Sequence, residues 1–151
     1  GRDGIDLDAG AKYNVCIFNT SVKNKRHGIF IEEASHHNLL FGNELNDNLN
    51  SGVHVWNEEV KGNTTDNSIV ANVCNGNRRG LSCGGRDDTK LSNANLFFNN
   101  ECARNSNYGI ITGNKNGLNN YFSQCLVKDN KPLDIQIGET SQSYLLNTPA
   151  R

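Results

Sequence analysis

Apolar and polar residues alternate in short runs that recur along the chain. Gly4-Ile5-Asp6-Leu7-Asp8, Gly28-Ile29-Phe30-Ile31-Glu32, Gly52-Val53-His54-Val55-Trp56, Gly80-Leu81-Ser82-Cys83-Gly84 and Gly109-Ile110-Ile111-Thr112-Gly113 share one form: a Gly, then alternating residues with an apolar or small one at the first and third places. Asp134-Ile135-Gln136-Ile137-Gly138 repeats it with Asp in place of Gly. The starts, at 4, 28, 52, 80, 109 and 134, are 24, 24, 28, 29 and 25 residues apart.

Asn residues hold a five-residue grid in phase with these runs: Asn14, Asn19, Asn24; Asn38, Asn43, Asn48; Asn67, Asn72, Asn77; Asn95, Asn100, Asn105. Asn120 and Asn130 keep the grid with Cys125 between them, and Gln142 and Asn147 begin a sixth set. A disordered chain has no reason to hold two columns in phase. A repeat of this length with three strand-like pieces and no helical period predicts an all-β solenoid, one coil per repeat and about six coils, as a single domain over residues 1–151. Asn suits the corners because it tolerates left-handed backbone and its amide can bond the backbone or the Asn one rung away.

Period-two alternation assigns the faces. Ile5, Leu7, Ile29, Ile31, Val53, Val55, Leu81, Cys83, Ile110, Ile135 and Ile137 point inward, with Thr112 as the polar exception. A second inward column is Cys16, Leu40, Ile69, Phe97, Phe122 and Tyr144; a third is Ser21, Leu45, Cys74, Cys102 and Val127. The outward places of the second strand are also apolar, at Val15, Ile17, Leu39, Phe41, Val70, Leu96 and Phe98. Either they form a sticky face that packs on something else, or a bulge changes which residues face inward.

Composition narrows the class. The chain has 151 residues, of which 26 are Asn and 15 Gly, and this abundance argues against helix. Fifteen basic against sixteen acidic side chains leave no electrostatic basis for nucleic-acid or anionic-lipid binding, and no apolar run is long enough for a membrane helix. Five cysteines in no Cys-x-x-Cys spacing do not suggest zinc; Cys74 and Cys102 share a column on neighbouring coils, within reach of a disulfide. Asn19-Thr20-Ser21 and Asn63-Thr64-Thr65 match the N-glycosylation rule.

The repeats resemble the right-handed, single-stranded parallel β-helix of the pectate-lyase-like superfamily along essentially the whole chain. That resemblance implies a secreted, extracellular, carbohydrate-active protein. Open sheet ends with no capping helix suggest a fragment of a longer β-helix, or a protomer covered by self-association.

Chemistry is expected on the outward face of the Gly-led strands, where Asp6, Phe30 and His54 form one column and Asp8, Glu32 and Trp56 the next. Aromatic rings stack on sugar rings and carboxylates serve acid–base steps. Trp56 and Phe30 are the expected platforms, with Arg26, Arg78 and Arg86 as further substrate-binding groups. Two longer connections flank this face and carry Glu58, Glu59, Lys61 and Arg86, Asp87, Asp88, Lys90. A glycosidase would use Asp6 with Asp8, or Glu32. A polyuronate lyase or C5-epimerase would use His54 or His27 as base and Arg79 or Arg26 to neutralise the sugar carboxylate. No cofactor is required, although a calcium-assisted form would take Asp6, Asp8 and Glu32 as oxygen ligands.

Gly4-Ile5-Asp6-Leu7-Asp8 and Lys25-Arg26-His27-Gly28-Ile29-Phe30-Ile31 look like parts of the mannuronan C5-epimerase and alginate-lyase-like branch. Its Gly-x-Asp-Pro-His-Asp segment is matched at Asp6, but Leu7 and Asp8 stand in place of Pro and His, so the branch's catalytic His is absent from that motif. The leading expectation is a lyase or hydrolase acting on an acidic polysaccharide, with β-elimination ahead of hydrolysis. The competing one is a non-catalytic structural or adhesive β-helix that associates through its ends or its apolar second-strand face.

Overall fold

Alternation of branched apolar residues with polar ones suits a half-buried pleated strand, and each Gly-led run forms one. A computed structural model describes residues 2–58, 62–86, 90–113, 119–138 and 144–146. Its first sheet contains Ile5–Leu7, Ile29–Ile31, Ser51–Asn57, Arg79–Gly85, Tyr108–Thr112 and Leu133–Gln136, parallel and in chain order. Ile5, Ile29, Val53, Leu81, Ile110 and Ile135 are successive register partners, which matches the repeat phase read from the sequence. Six strands in order make five complete turns of a parallel β-solenoid, with no helix among the described residues.

The second sheet contains Val15–Ile17, Leu39–Phe41, Ser68–Val70, Leu96–Phe98, Tyr121–Ser123 and Tyr144–Leu146. A third face is paired as Glu101–Ala103 with Leu126–Lys128 and continues to the first coil through the single bridges Thr20–Glu44, Glu44–Val73 and Val73–Glu101. The two longer connections add a small pair, Gly62–Thr65 with Lys90–Asn93. Glu59, Lys61, Asp87, Asp88, Gln142 and Asn147 lie outside the described residues.

Leu40, Ile69, Phe97 and Phe122 are fully buried between the sheets with Ile29, Ile31, Val53, Val55, Leu81 and Ile110, and the Phe97 and Phe122 rings stack at 4.4 Å. The sixth member of the second column is corrected by one residue. Leu145, not Tyr144, is the register partner of Phe122, while Tyr144 stacks outside on Tyr121 and is 46% exposed. Regular pairing along the second sheet removes the bulge alternative, so Val15, Ile17, Phe41 and Leu96 face solvent. All five cysteines are free thiols, and Cys74, Cys83, Cys102 and Cys125 are buried.

The corner chemistry also differs from expectation. The residue before each corner Asn carries the left-handed backbone: Tyr13, Phe18, Lys23, His37, Asp47, Asp66, Ala71, Ala94, Asn99, Arg104, Asn119 and Asp129 all have φ between 51° and 60°. Asn contributes its amide instead. Asn43 gives both its backbone N–H and Nδ2 to Oδ1 of Asn72, and Asn72 gives the same pair to Asn100. The remaining Nδ2 hydrogen of Asn72 goes back to the Leu40 carbonyl. The pattern recurs from Asn38 through Asn67 and Asn95 to Asn120; Asn77 gives only its backbone N–H to Oδ1 of Asn105, and Asn105 gives its Nδ2 to Oδ1 of Asn130. Asp134 then accepts from both Asn130 N–H groups, at 2.9 and 2.8 Å. These bonds satisfy buried backbone groups at turns where the sheet ladder is interrupted.

Candidate functional site

Residues at alternate places on the first sheet share its outer face, and the register fixes which meet. Asp6, Phe30, His54, Ser82, Ile111 and Gln136 are successive partners in one column. In the neighbouring column Trp56 pairs with Gly84. A β-carbon on Gly84 would lie 2.6 Å from Cζ3 of Trp56, and one on Gly113 would lie 3.7 Å from the same atom. The indole therefore lies flat along the face over two coils that lack side chains. Its backbone is held by Thr64, whose hydroxyl donates to the Trp56 carbonyl at 3.1 Å.

An aromatic stack runs beside it. His54 stacks on Trp56 at 5.5 Å, on Phe30 at 5.1 Å and on His27 at 4.6 Å. His54 Nδ1 bonds the Ser82 hydroxyl, which in turn bonds the Ser51 hydroxyl at 3.0 Å. Burial, with His27, Arg79 and Arg26 nearby, holds His54 well below the usual imidazole range and so neutral. Arg79 shares a pocket of about 180 Å³ with His54, Trp56, Ser82, Cys83, Ile111 and Gly113. Its Nε is buried without a hydrogen-bond partner. Burial and the adjacent Arg78 lower its pKa, which marks a cation short of counter-charge.

Three expected groups are packed or paired within the fold. Phe30 is 3% exposed, beneath Arg26, whose guanidinium carbon lies 4.5 Å from the ring centroid. Arg26 itself is held in a fork by Asp3, with Nε 2.8 Å from Oδ1 and Nη2 2.6 Å from Oδ2, and its Nη2 lies 3.9 Å from Glu32. His27 is 2% exposed, its Nδ1 accepts from the Ser51 backbone N–H at 3.3 Å, and burial pushes its pKa down to about 4. Arg78 and Arg86 are exposed and line neither pocket on this face.

The other half of the face is acidic. Asp6, Asp8 and Glu32 line a cleft of about 450 Å³ with Arg2, Asp3, Arg26, Glu33 and Glu58. Burial and the charges of Asp6 and Asp8 push Glu32 up to about 7, and burial with Asp3 and Asp8 raises Asp6 as well. Sequence reasoning did not single out Asp3, Glu33 or Ser51. One-coil spacing was the available signal for the first: Asp3 and Arg26 are 23 residues apart, close to one repeat.

Residues 2–80, just over half of the chain, match the family described as periplasmic copper-binding protein (NosD). The chain belongs to the NosD family. No curated protein sequence matches it. The fold of this NosD-family chain is shared with crystal structures of the periplasmic alginate epimerase AlgG. The unmutated enzyme aligns with TM-score 0.74 and 16% identity over 99% of this chain and 36% of that one. A single-mutant form aligns with TM-score 0.76 and 17% identity over 97% and 36%. The chain thus spans about a third of the length of those structures.

The family description raises copper, and the donor set of this member can be tested against it. All four His and all five Cys lie in the described residues. Among those residues no three or more His, Cys, Asp or Glu come together as a metal would need. His36 and His37 satisfy each other through their Nδ1 atoms at 2.8 Å, and His27 is packed away. The described residues do not form a copper site.

Proposed function

We propose that this chain is part of a periplasmic, carbohydrate-active β-helix whose Gly-led face binds a uronate-bearing polysaccharide, with proton abstraction next to the uronate carboxylate as its chemistry. The observation that carries the reading is one pocket holding a flat indole, a neutral imidazole and a buried guanidinium nitrogen without a partner. Trp56 supplies the stacking surface and Arg79 the counter-charge for the carboxylate, which makes the adjacent C–H more acidic. In the tautomer that donates Nδ1–H to Ser82, His54 presents its Nε2 lone pair to take that proton. In β-elimination the C5 electron pair forms the C4=C5 double bond as the C4–O bond breaks, and the leaving oxygen takes a proton from the His54 imidazolium or water; in epimerisation water returns a proton to C5 from the other face. The likeness to an enzyme named as an alginate epimerase supports a uronate-containing substrate, and both the family description and that enzyme's name support the periplasm.

Hydrolysis ranks second and would draw on Asp6, Asp8 or Glu32 in the acidic cleft. The exposed row from Val15, at 61%, through Ile17 and Phe41 to Leu96 favours a separate reading as a structural or adhesive module.

The test is incubation with uronate polymers in D2O, followed by ultraviolet absorbance for unsaturated sugars and by NMR for deuterium at C5. The expected result is one of these signals, lost in His54→Ala and Arg79→Gln. Absence of both signals, together with no change in Trp56 fluorescence with any polymer, would overturn the proposal.

A further inference from the structure

The outer face is electrically divided at Trp56. Rungs of a parallel sheet are about 4.8 Å apart, close to the length of one sugar residue. A sugar stacked on Trp56 therefore places its neighbour over the next rung. On one side that rung carries Gly84, followed by Gly113, beside Arg79 and Ile111, and none of the described residues lining that pocket is acidic. Toward the first coil the neighbour meets the cleft of Asp3, Asp6, Asp8, Glu32, Glu33 and Glu58, six carboxylates against the two guanidiniums of Arg2 and Arg26. Arg26 is already committed to Asp3. A ligand continuing along the strand instead of along the solenoid axis meets Glu58, two residues past Trp56, which lines the same cleft. In both directions the position after Trp56 on this side is lined by negative charge.

We infer that Asp8 and Glu32 set specificity by rejecting a second anionic sugar, so that the ligand is a uronate joined on that side to an uncharged or amino sugar: an alternating copolymer in preference to a homopolyuronate. This deepens the proposed function and rests on it. Arg79 offers its charge to one carboxylate, and the adjoining cleft opposes the next through like-charge repulsion at close range.

Trp56 is the sole Trp of the chain, so intrinsic fluorescence reports binding at the point where the face divides. The full chain is titrated at about pH 8, where Glu32 is largely ionised, with two oligosaccharides of equal length, one of galacturonate alone and one alternating glucuronate with N-acetylhexosamine. The alternating oligomer is expected to bind at least about tenfold more tightly at low salt, with the gap closing as salt screens the cleft. The double variant Asp8→Asn, Glu32→Gln is expected to recover most of the lost affinity for galacturonate, whereas Glu44→Gln, on another part of the surface, leaves the gap intact. Equal binding of both oligomers, or a gap that the double variant does not narrow, overturns the specificity while leaving the carbohydrate reading in place. Binding of neither oligomer counts against that reading itself, and the specificity falls with it.

Discussion

Trp56 occupies the space that a side chain on Gly84 would need: the two are register partners on adjacent coils, with only 2.6 Å between Cζ3 and an added β-carbon. Gly84→Ala should therefore lift the indole off the face. The expected result is red-shifted Trp fluorescence and a loss of about 1–3 kcal/mol, the usual cost of overpacking, measured by denaturant unfolding. An unchanged emission maximum would count against the flat placement. Gly10→Ala, where a β-carbon would meet nothing within 4 Å, is not a neutral control because its φ is +76°.

Removing one Asn from the middle of a column should cost more than removing one at its end. Asn72→Ala strips acceptors from the backbone and side-chain N–H of Asn43 and donors from Leu40 and Asn100. All of these lie in buried surroundings, so a loss of about 3 kcal/mol or more is expected. Asn14 donates to Asn38 but sits at the exposed first rung, and Asn14→Ala should cost roughly 1 kcal/mol. Equal destabilisation in thermal melts would contradict this account of the corners.

Cys125 stands where the middle column calls for Asn. Asn100 Nδ2 reaches its Sγ at 3.9 Å, and its own Sγ points to the Phe97 carbonyl at 3.6 Å. Asn at this place would replace these weak sulfur contacts by amide hydrogen bonds. Cys125→Asn is expected to raise stability by about 1 kcal/mol, read as a higher melting temperature.

Glu32 and His27 pull the pH dependence of stability in opposite directions. The folded-state pKa of Glu32, about 7, lies above its ordinary 4.5, so its contribution is complete below 4.5 and is lost as pH rises toward 7. His27 is lowered from 6.5 to about 4, so its contribution is complete above 6.5 and is lost as pH falls toward 4. Glu32→Gln should therefore stabilise the protein by about 1–2 kcal/mol near pH 8 and change little near pH 4, allowing for partial solvent screening. Melting curves of parent and variant across this range check the sign.

The solenoid was legible in the sequence because its two constraints, a Gly-led strand and an Asn corner, repeat in phase and leave one register that satisfies both. Ile5 and Ile29 could be paired from spacing alone, as could Asn43 and Asn72. Tyr144 was misplaced because Gln142, read as the corner residue of its coil, sets the phase one residue early; the register puts Leu145 opposite Phe122. The outward face was harder to read. Alternation says which side of the sheet a residue leaves from, but not what later folds over it. Phe30 leaves the outer side and is buried all the same, because Arg26 from the preceding turn lies across it and His27 and His54 close its flanks. The hydroxyl pair of Ser51 and Ser82 was similarly hidden, since it joins different coils across 31 residues.

The corner Asn columns have a direction. From Asn43 through Asn72 to Asn100, and again from Asn105 to Asn130, Oδ1 receives from the coil before and Nδ2 gives to the coil after, so these side-chain amides align head to tail with their positive ends toward the later coils. Summed over rungs, such a column is a dipole of the kind familiar from helices, and the carboxylate of Asp134 sits against its positive end, as an acidic residue does in the first turn of a helix. A carboxylate there accepts twice and has nothing to donate, so the third column closes at Asp134. The two ends of this stack are electrically unlike, and a segment that fits against one would meet the wrong polarity at the other.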